Sequence, residues 1–129
     1  MSDDRLHRTA SPAIPGISDS VRVTTGDLVF VSGAVGLGPD GSAASDFETE
    51  IDLCFTDLSR ALETGGASLA SVLKITVYIV DLTQEKLATF RTVRDRWIDP
   101  HHMPASTLIG VAALFSDKVT IEIEAIAAP

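Results

Sequence analysis

Two glutamates, Glu122 and Glu124, stand two residues apart in the C-terminal run KVTIEIEAIA, a spacing that puts both carboxylates on one side of an extended strand. A carboxylate placed there can position a water or hold a proton in general acid–base chemistry. Two of them can equally be the wetted side of a sheet, and spacing alone leaves both readings open. Arg91 and Arg94 lie three apart in a helical stretch and share a helix face, where guanidinium groups can hold an anion. The plainer reading is a solvated face with Asp95 and Asp99 as partners. Ser106 and Thr107 set two hydroxyls at the mouth of PASTLIGVAAL, an apolar run entered through Pro104. His101 and His102 are adjacent on a loop with no third ligand at useful spacing, so no metal site is expected. There is no nucleophile elbow, no phosphate-cradling glycine loop and no cysteine near a histidine. Carboxylate, guanidinium and hydroxyl chemistry remain.

These groups need elements to hold them. GDLVFVSG, Gly26 to Gly33, is apolar, β-branched and bounded by glycines, which predicts a buried strand. The preceding SVRVTT alternates and is expected to pair with it as a hairpin. Pro39, Asp40 and Gly41 predict a reversal. Ser45 and Glu48 have the spacing of a capping box, and Phe47, Ile51, Phe55, Leu58 and Leu62 then recur at helical spacing until Gly65 and Gly66. SVLKITVYIVD sets Leu73, Ile75, Val77 and Ile79 on one face and reads as a central strand. A second helix follows Thr83, with Leu87, Phe90, Val93 and Trp97 inward, and the two prolines of DPHHMP end it. PASTLIGVAAL and KVTIEIEAIA supply two further strands. The expected fold class is therefore α+β, a mixed sheet with two helices on one face. With only two helices available, the other sheet face must meet water or another subunit, and oligomerisation is the natural solution.

Composition narrows the function classes. A chain of 129 residues is the size of one domain, so residues 1–129 are expected to share one core, with 1–20, rich in Pro12, Pro15 and Gly16, as an extended arm. No apolar run approaches the roughly 18 to 20 residues of a membrane helix. The polar N-terminal stretch lacks an apolar segment behind a basic start, so a soluble, cytoplasmic protein is expected, with no membrane partner. The formal charge of −8 argues against nucleic acid, which needs Lys and Arg gathered on one surface. What positive field exists is concentrated in Arg91, Arg94 and Arg96. The single cysteine, Cys54, excludes an internal disulfide and reads as a small core residue.

Four ordered segments carry a resemblance: GDLVFVSGAVGLGPDG, ASLASVLKITVYIVD, PASTLIGVAAL and VTIEIEAIA. In order and spacing they resemble the RidA (YjgF/UK114) family over about Val21 to Ala127. The resemblance implies a chorismate-mutase-like α+β fold, a homotrimer with ligand clefts between subunits, and no metal or organic cofactor. It implies hydrolysis of reactive enamines and imines, such as 2-aminoacrylate, to keto acids and ammonia. It also assigns residues. Ser32 and Gly33 match the family's Ser-Gly, where a backbone amide faces the ligand. Glu122 matches the glutamate that positions the hydrolytic water, and Thr107 stands where Ser or Thr is common. The family's substrate-gripping arginine, however, is Ser106 here, its cysteine is Leu108, its asparagine is Arg91, a nearby aromatic position is Arg94, and its arm aromatic has no counterpart near Ile17. A bidentate ion pair becomes at best one neutral hydrogen bond, worth about 1 kcal/mol against about 1.5 to 3. The expectation is a small-molecule, carboxylate-binding relative with altered specificity, its cation moved to Arg91 or Arg94. A metabolite-binding trimer without turnover is the alternative, and an endoribonuclease or translation inhibitor comes last.

Overall fold

The computed structural model describes residues 4–129, so the first three residues of the expected arm lie outside the described residues. Helix α1, Phe47–Thr64, forms where the apolar period predicts it, and Ile51, Cys54, Phe55, Leu58 and Leu62 are all fully buried. Its cap differs from the expected Ser45–Glu48 box. Asp46 is the N-cap, its carboxylate accepting from the Thr49 N–H at 2.7 Å, while Glu48 reaches across to Arg96 at 2.8 Å. Helix α2, Gln84–Trp97, starts at a Thr83 cap and packs on α1. Phe55 stacks on Phe90 and Trp97 at ring distances of 6.2 and 5.9 Å, and the Trp97 indole N–H donates to Asp52 at 2.8 Å. No helix of the described residues is long and apolar enough to cross a membrane.

Six strands make one sheet: β1 (Leu6–Ala10), β2 (Ser18–Val23), β3 (Val29–Val35), β4 (Val72–Val80), β5 (Ala105–Val111) and β6 (Ile121–Ala127), in the order β1-β2-β5-β4-β6-β3. β4 is central, parallel to β5 and antiparallel to β6. Its period-two alternation sends Ile75, Val77 and Ile79 to the helices, where they are essentially fully buried. Lys74, Thr76 and Tyr78 face the other way, and no helix or strand of the described residues covers that side. The α+β class with both helices on one sheet face is thus the observed architecture.

Three expectations are corrected. The stretch expected as an extended arm is built into the sheet: residues 6–10 and 18–23 pair as an antiparallel hairpin, with Pro12, Pro15 and Gly16 in its connection. SVRVTT accordingly pairs backward with β1, not forward with β3. β3 and β5 are only half-buried, because each is covered by helices on one side. On β3 the inward residues Val29 and Val31 pack on the core while Phe30 is 71% exposed. An unbroken β-branched run says that both faces avoid water, but not which molecule covers the second.

Candidate functional site

Glu122 is held by three neighbouring strands. It pairs with Tyr78 of β4 and Val35 of β3, on the face away from the helices, and is half-buried. The β3 to β6 register shifts between Val31 and Ala34, a bulge that contains Ser32 and Gly33. Such a bulge takes a residue out of the ladder and re-aims its backbone. Here it brings Gly33 against the Glu122 carboxylate, so closely that a Cβ on Gly33 would lie 2.1 Å from Glu122 Oε2. With glycine at 33 the carboxylate can lie where a side chain would otherwise stand. Ser32 is exposed beside it and also lines a hollow of about 300 Å³ on the open face with Phe30, Lys74, Thr76, Glu124 and Ile126. Glu124 is exposed and accepts from the Tyr78 hydroxyl at 2.7 Å. That bond holds the Tyr78 pKa above its ordinary value, with slight burial and the charges of Glu124 and Glu122 adding to it. Thr107 lies on the same face and accepts from Lys74 Nζ at 2.6 Å.

The remaining predicted residues gather elsewhere. Ser106 pairs in register with Ile75 and so faces α2, where it shares a cavity of about 300 Å³ with Arg91, Arg94, Phe90, Leu108 and Ile17. The two arginines differ. Arg94 is 7% exposed and is bound to Asp95, with Nε–H donating to Oδ1 at 3.1 Å. It lies directly beneath Gly16, where the backbone has φ +87°, and a Cβ there would lie 2.2 Å from the guanidinium. The plain solvated-face reading fails for Arg94, which pairs with Asp95 but is buried against the β1–β2 connection. Arg91 is exposed on the cavity rim and makes no ion pair with a described residue. Arg96 pairs with Glu48, and Asp99 caps the short turn Pro100–His102 by accepting from the His101 N–H at 2.8 Å. His102 Nδ1 lies 4.0 Å from Asp99.

Sequence reasoning missed Glu50, which is 5% exposed and whose carboxylate accepts from the backbone N–H groups of Thr120 and Ile121. Its place one turn before Cys54, on the apolar side of α1, was the available signal. Cys54 itself is buried, and burial pushes its thiol pKa far up; the neighbouring charges of Glu50 and Asp57 add to this.

The family description Endoribonuclease L-PSP matches residues 9–129. The chain belongs to that family, RidA. The RutC family protein YjgH of Escherichia coli is 30% identical over 95 residues, covering 74% of this chain and 72% of that one. The chloroplastic Reactive Intermediate Deaminase A of Arabidopsis thaliana is 34% identical over 112 residues, 84% of this chain and 57% of that one. In fold the chain is similar to YyfB of Yersinia pestis, a Rid protein of unknown function, with TM-score 0.83 at 24% identity, covering 97% of this chain and 99% of that one.

Within one RidA subunit the two groups of residues cannot meet on a small ligand. Ser106 and Glu122 sit on strands separated by β4, about 10 Å apart at ordinary strand spacing, and project from opposite sheet faces. The structure brings Ser32, Gly33 and Glu122 together, and separately Arg91, Arg94 and Ser106; Thr107 joins neither group.

Proposed function

We propose that this protein is a homotrimer that binds a small carboxylate in clefts between copies and hydrolyses an enamine or imine there. The observation that carries this reading is the split just described: Glu122 with Gly33 on the open sheet face, and Ser106 with Arg91 and Arg94 on the helix face, two groups that one subunit does not bring together. Arg91 is the cation for the ligand carboxylate, because it alone of the pair is exposed at the cavity and makes no ion pair among the described residues, and the Ser106 hydroxyl assists it. Glu122 of a neighbouring copy accepts a hydrogen bond from water, and the bulge at Ser32 and Gly33 offers backbone N–H groups beside it. The water adds to the C=N carbon, nitrogen takes the proton, and the adduct collapses to a keto acid and ammonia. A deaminase name among the relatives supports this chemistry, and the charge of −8 speaks against RNA as substrate.

The test uses an imino acid generated in place by an amino acid oxidase, with ammonia release recorded. Glu122→Gln keeps shape but loses the acceptor charge; it is expected to abolish release while an unreactive carboxylate analogue binds as before. Turnover of 2-aminoacrylate by the wild type is expected to be weak, and Ser106→Arg is expected to raise it. Binding without turnover in the wild type would leave a metabolite-binding trimer and overturn the hydrolase.

A further inference from the structure

Helix α1 lies on the two strands that carry Gly33 and Glu122, and its contacts there are polar as well as apolar. Glu50 Oε2 accepts from the Thr120 N–H at 2.7 Å and the Ile121 N–H at 3.2 Å, and Oε1 accepts from the Thr120 hydroxyl. Both backbone groups immediately precede Glu122. One turn along, the Cys54 thiol donates to the carbonyl of Ala34, the residue after Gly33, at 3.1 Å. The helix comes so near that a Cβ on Gly36 would lie 2.1 Å from the Glu50 carbonyl oxygen.

A buried carboxylate loses its hydration and is retained only where fixed donors replace it. Here the donors belong to the start of the strand that aims the glutamate of the half-site. We propose that Glu50 is a positioning residue for Glu122, holding Thr120 and Ile121 so that the Glu122 carboxylate stays seated against Gly33. Its role depends on reach more than on charge. A glutamine at 50 presents the same oxygen to both N–H groups, and its amide donates to the Thr120 hydroxyl, which turns to accept. An aspartate keeps the charge but falls short by one methylene, about 1.5 Å.

The placement of Glu122 is read directly, by carbon NMR titration of its side-chain carboxyl in the full chain, and separately by kcat and KM for ammonia release. Only the kinetic arm rests on the hydrolase reading. E50Q is expected to keep the wild-type Glu122 midpoint and kcat. E50D is expected to displace the midpoint and to lower kcat by roughly ten- to a hundred-fold at unchanged KM, the cost of a misplacement of about 1 Å. Leu62→Ala, in the last turn of α1, destabilises the same helix without touching Glu50 and is expected to move neither. Where E50D does not fold, E50Q is compared with E50Q/T120V, whose glutamine amide has lost its acceptor; the midpoint moves only in the double variant. The proposal is overturned if Glu122 titrates alike in all of these, if L62A displaces it as E50D does, or if E50Q rather than E50D is the damaging change. Absence of turnover in the wild type overturns the hydrolase alone and leaves the titration to decide the role of Glu50.

Discussion

Gly33→Ala is the smallest change that reaches the Glu122 half-site. The added Cβ would lie 2.1 Å from Glu122 Oε2 and 2.5 Å from its Cδ. Since non-bonded carbon and oxygen do not approach closer than about 3 Å, the carboxylate must retreat by about 1 Å. It is the far end of a flexible side chain, so it retreats by changing rotamer, at about 0.5 to 1.5 kcal/mol. Gly33 does not have a positive φ, so alanine fits its backbone and lowers the entropy of the unfolded chain, returning about 0.4 to 1 kcal/mol. The two nearly cancel, and thermal unfolding of G33A is expected within a few degrees of wild type. Activity does not share this cancellation. A water held about 1 Å from its place costs roughly ten- to a hundred-fold in kcat. Because the change acts through Glu122, adding Glu122→Gln to G33A should cost far less than it does in the wild type. Ammonia release and thermal unfolding measured on the same samples decide it. Wild-type kcat in G33A, or a loss of activity that merely follows loss of fold, refutes the reasoning.

The two helix arginines are expected to separate. Arg91→Ala should weaken carboxylate binding in calorimetric titration by about ten- to a hundred-fold, the worth of a charge-assisted hydrogen bond of about 1.5 to 3 kcal/mol; Arg94→Ala should chiefly lower the unfolding temperature, since it removes the support beneath Gly16. Equal effects of the two on affinity would contradict the assignment. Light scattering at micromolar concentration should give three times the chain mass of 13.6 kDa, and a monomer mass would remove the shared cleft. Spectrophotometric titration should find the Tyr78 phenol above its ordinary range, with Glu124→Gln bringing it down. A raised pKa in the fold means that the Tyr78 contribution to stability is intact below the ordinary phenol pKa and is lost as pH climbs through the raised one.

Periodicity carried the helices and the central strand because those elements bury one side only within their own chain. Phe55, Leu58 and Leu62 could point nowhere else, and Ile75, Val77 and Ile79 alternate cleanly against Lys74, Thr76 and Tyr78. It failed where the partner is remote in sequence. Nothing in SVRVTT says that its mate lies behind it at Leu6–Ala10. Site residues followed the same division. The four ordered segments single out Glu122 and Gly33, but their contact depends on a bulge that has no local signature. Arg91 and Arg94 look equivalent at i, i+3. Only the fold shows that Gly16 sits on one of them, because that contact joins residues far apart in the chain. Glu50 went unnoticed for a related reason: an acidic residue in a first turn reads as a helix-end charge, and the backbone donors it serves come from 70 residues away.

A neutral serine at position 106, facing an apolar cavity, decides how a carboxylate could sit there. Around Ser106 the cavity is lined by Ile14, Ile17, Leu82, Leu87, Phe90 and Leu108, with Arg94 in its wall and Arg91 at the rim. An anion drawn to a rim cation keeps part of its water and feels salt more than one held by a buried guanidinium. Its apolar substituent is then free to enter the cavity, where burial stabilises by about 25 cal/mol per Å². If Arg91 is the partner of the carboxylate, binding should therefore strengthen with the length of the ligand's hydrocarbon chain until the cavity is filled, and weaken as salt is raised. The opposite orientation, with the carboxylate at the floor beside Ser106, would leave a charge in an apolar wall with one neutral donor, an arrangement whose desolvation cost of several kcal/mol a single hydrogen bond does not offset. Arg94 lines the same cavity, but its charge is already paired with Asp95 and its guanidinium lies against Gly16.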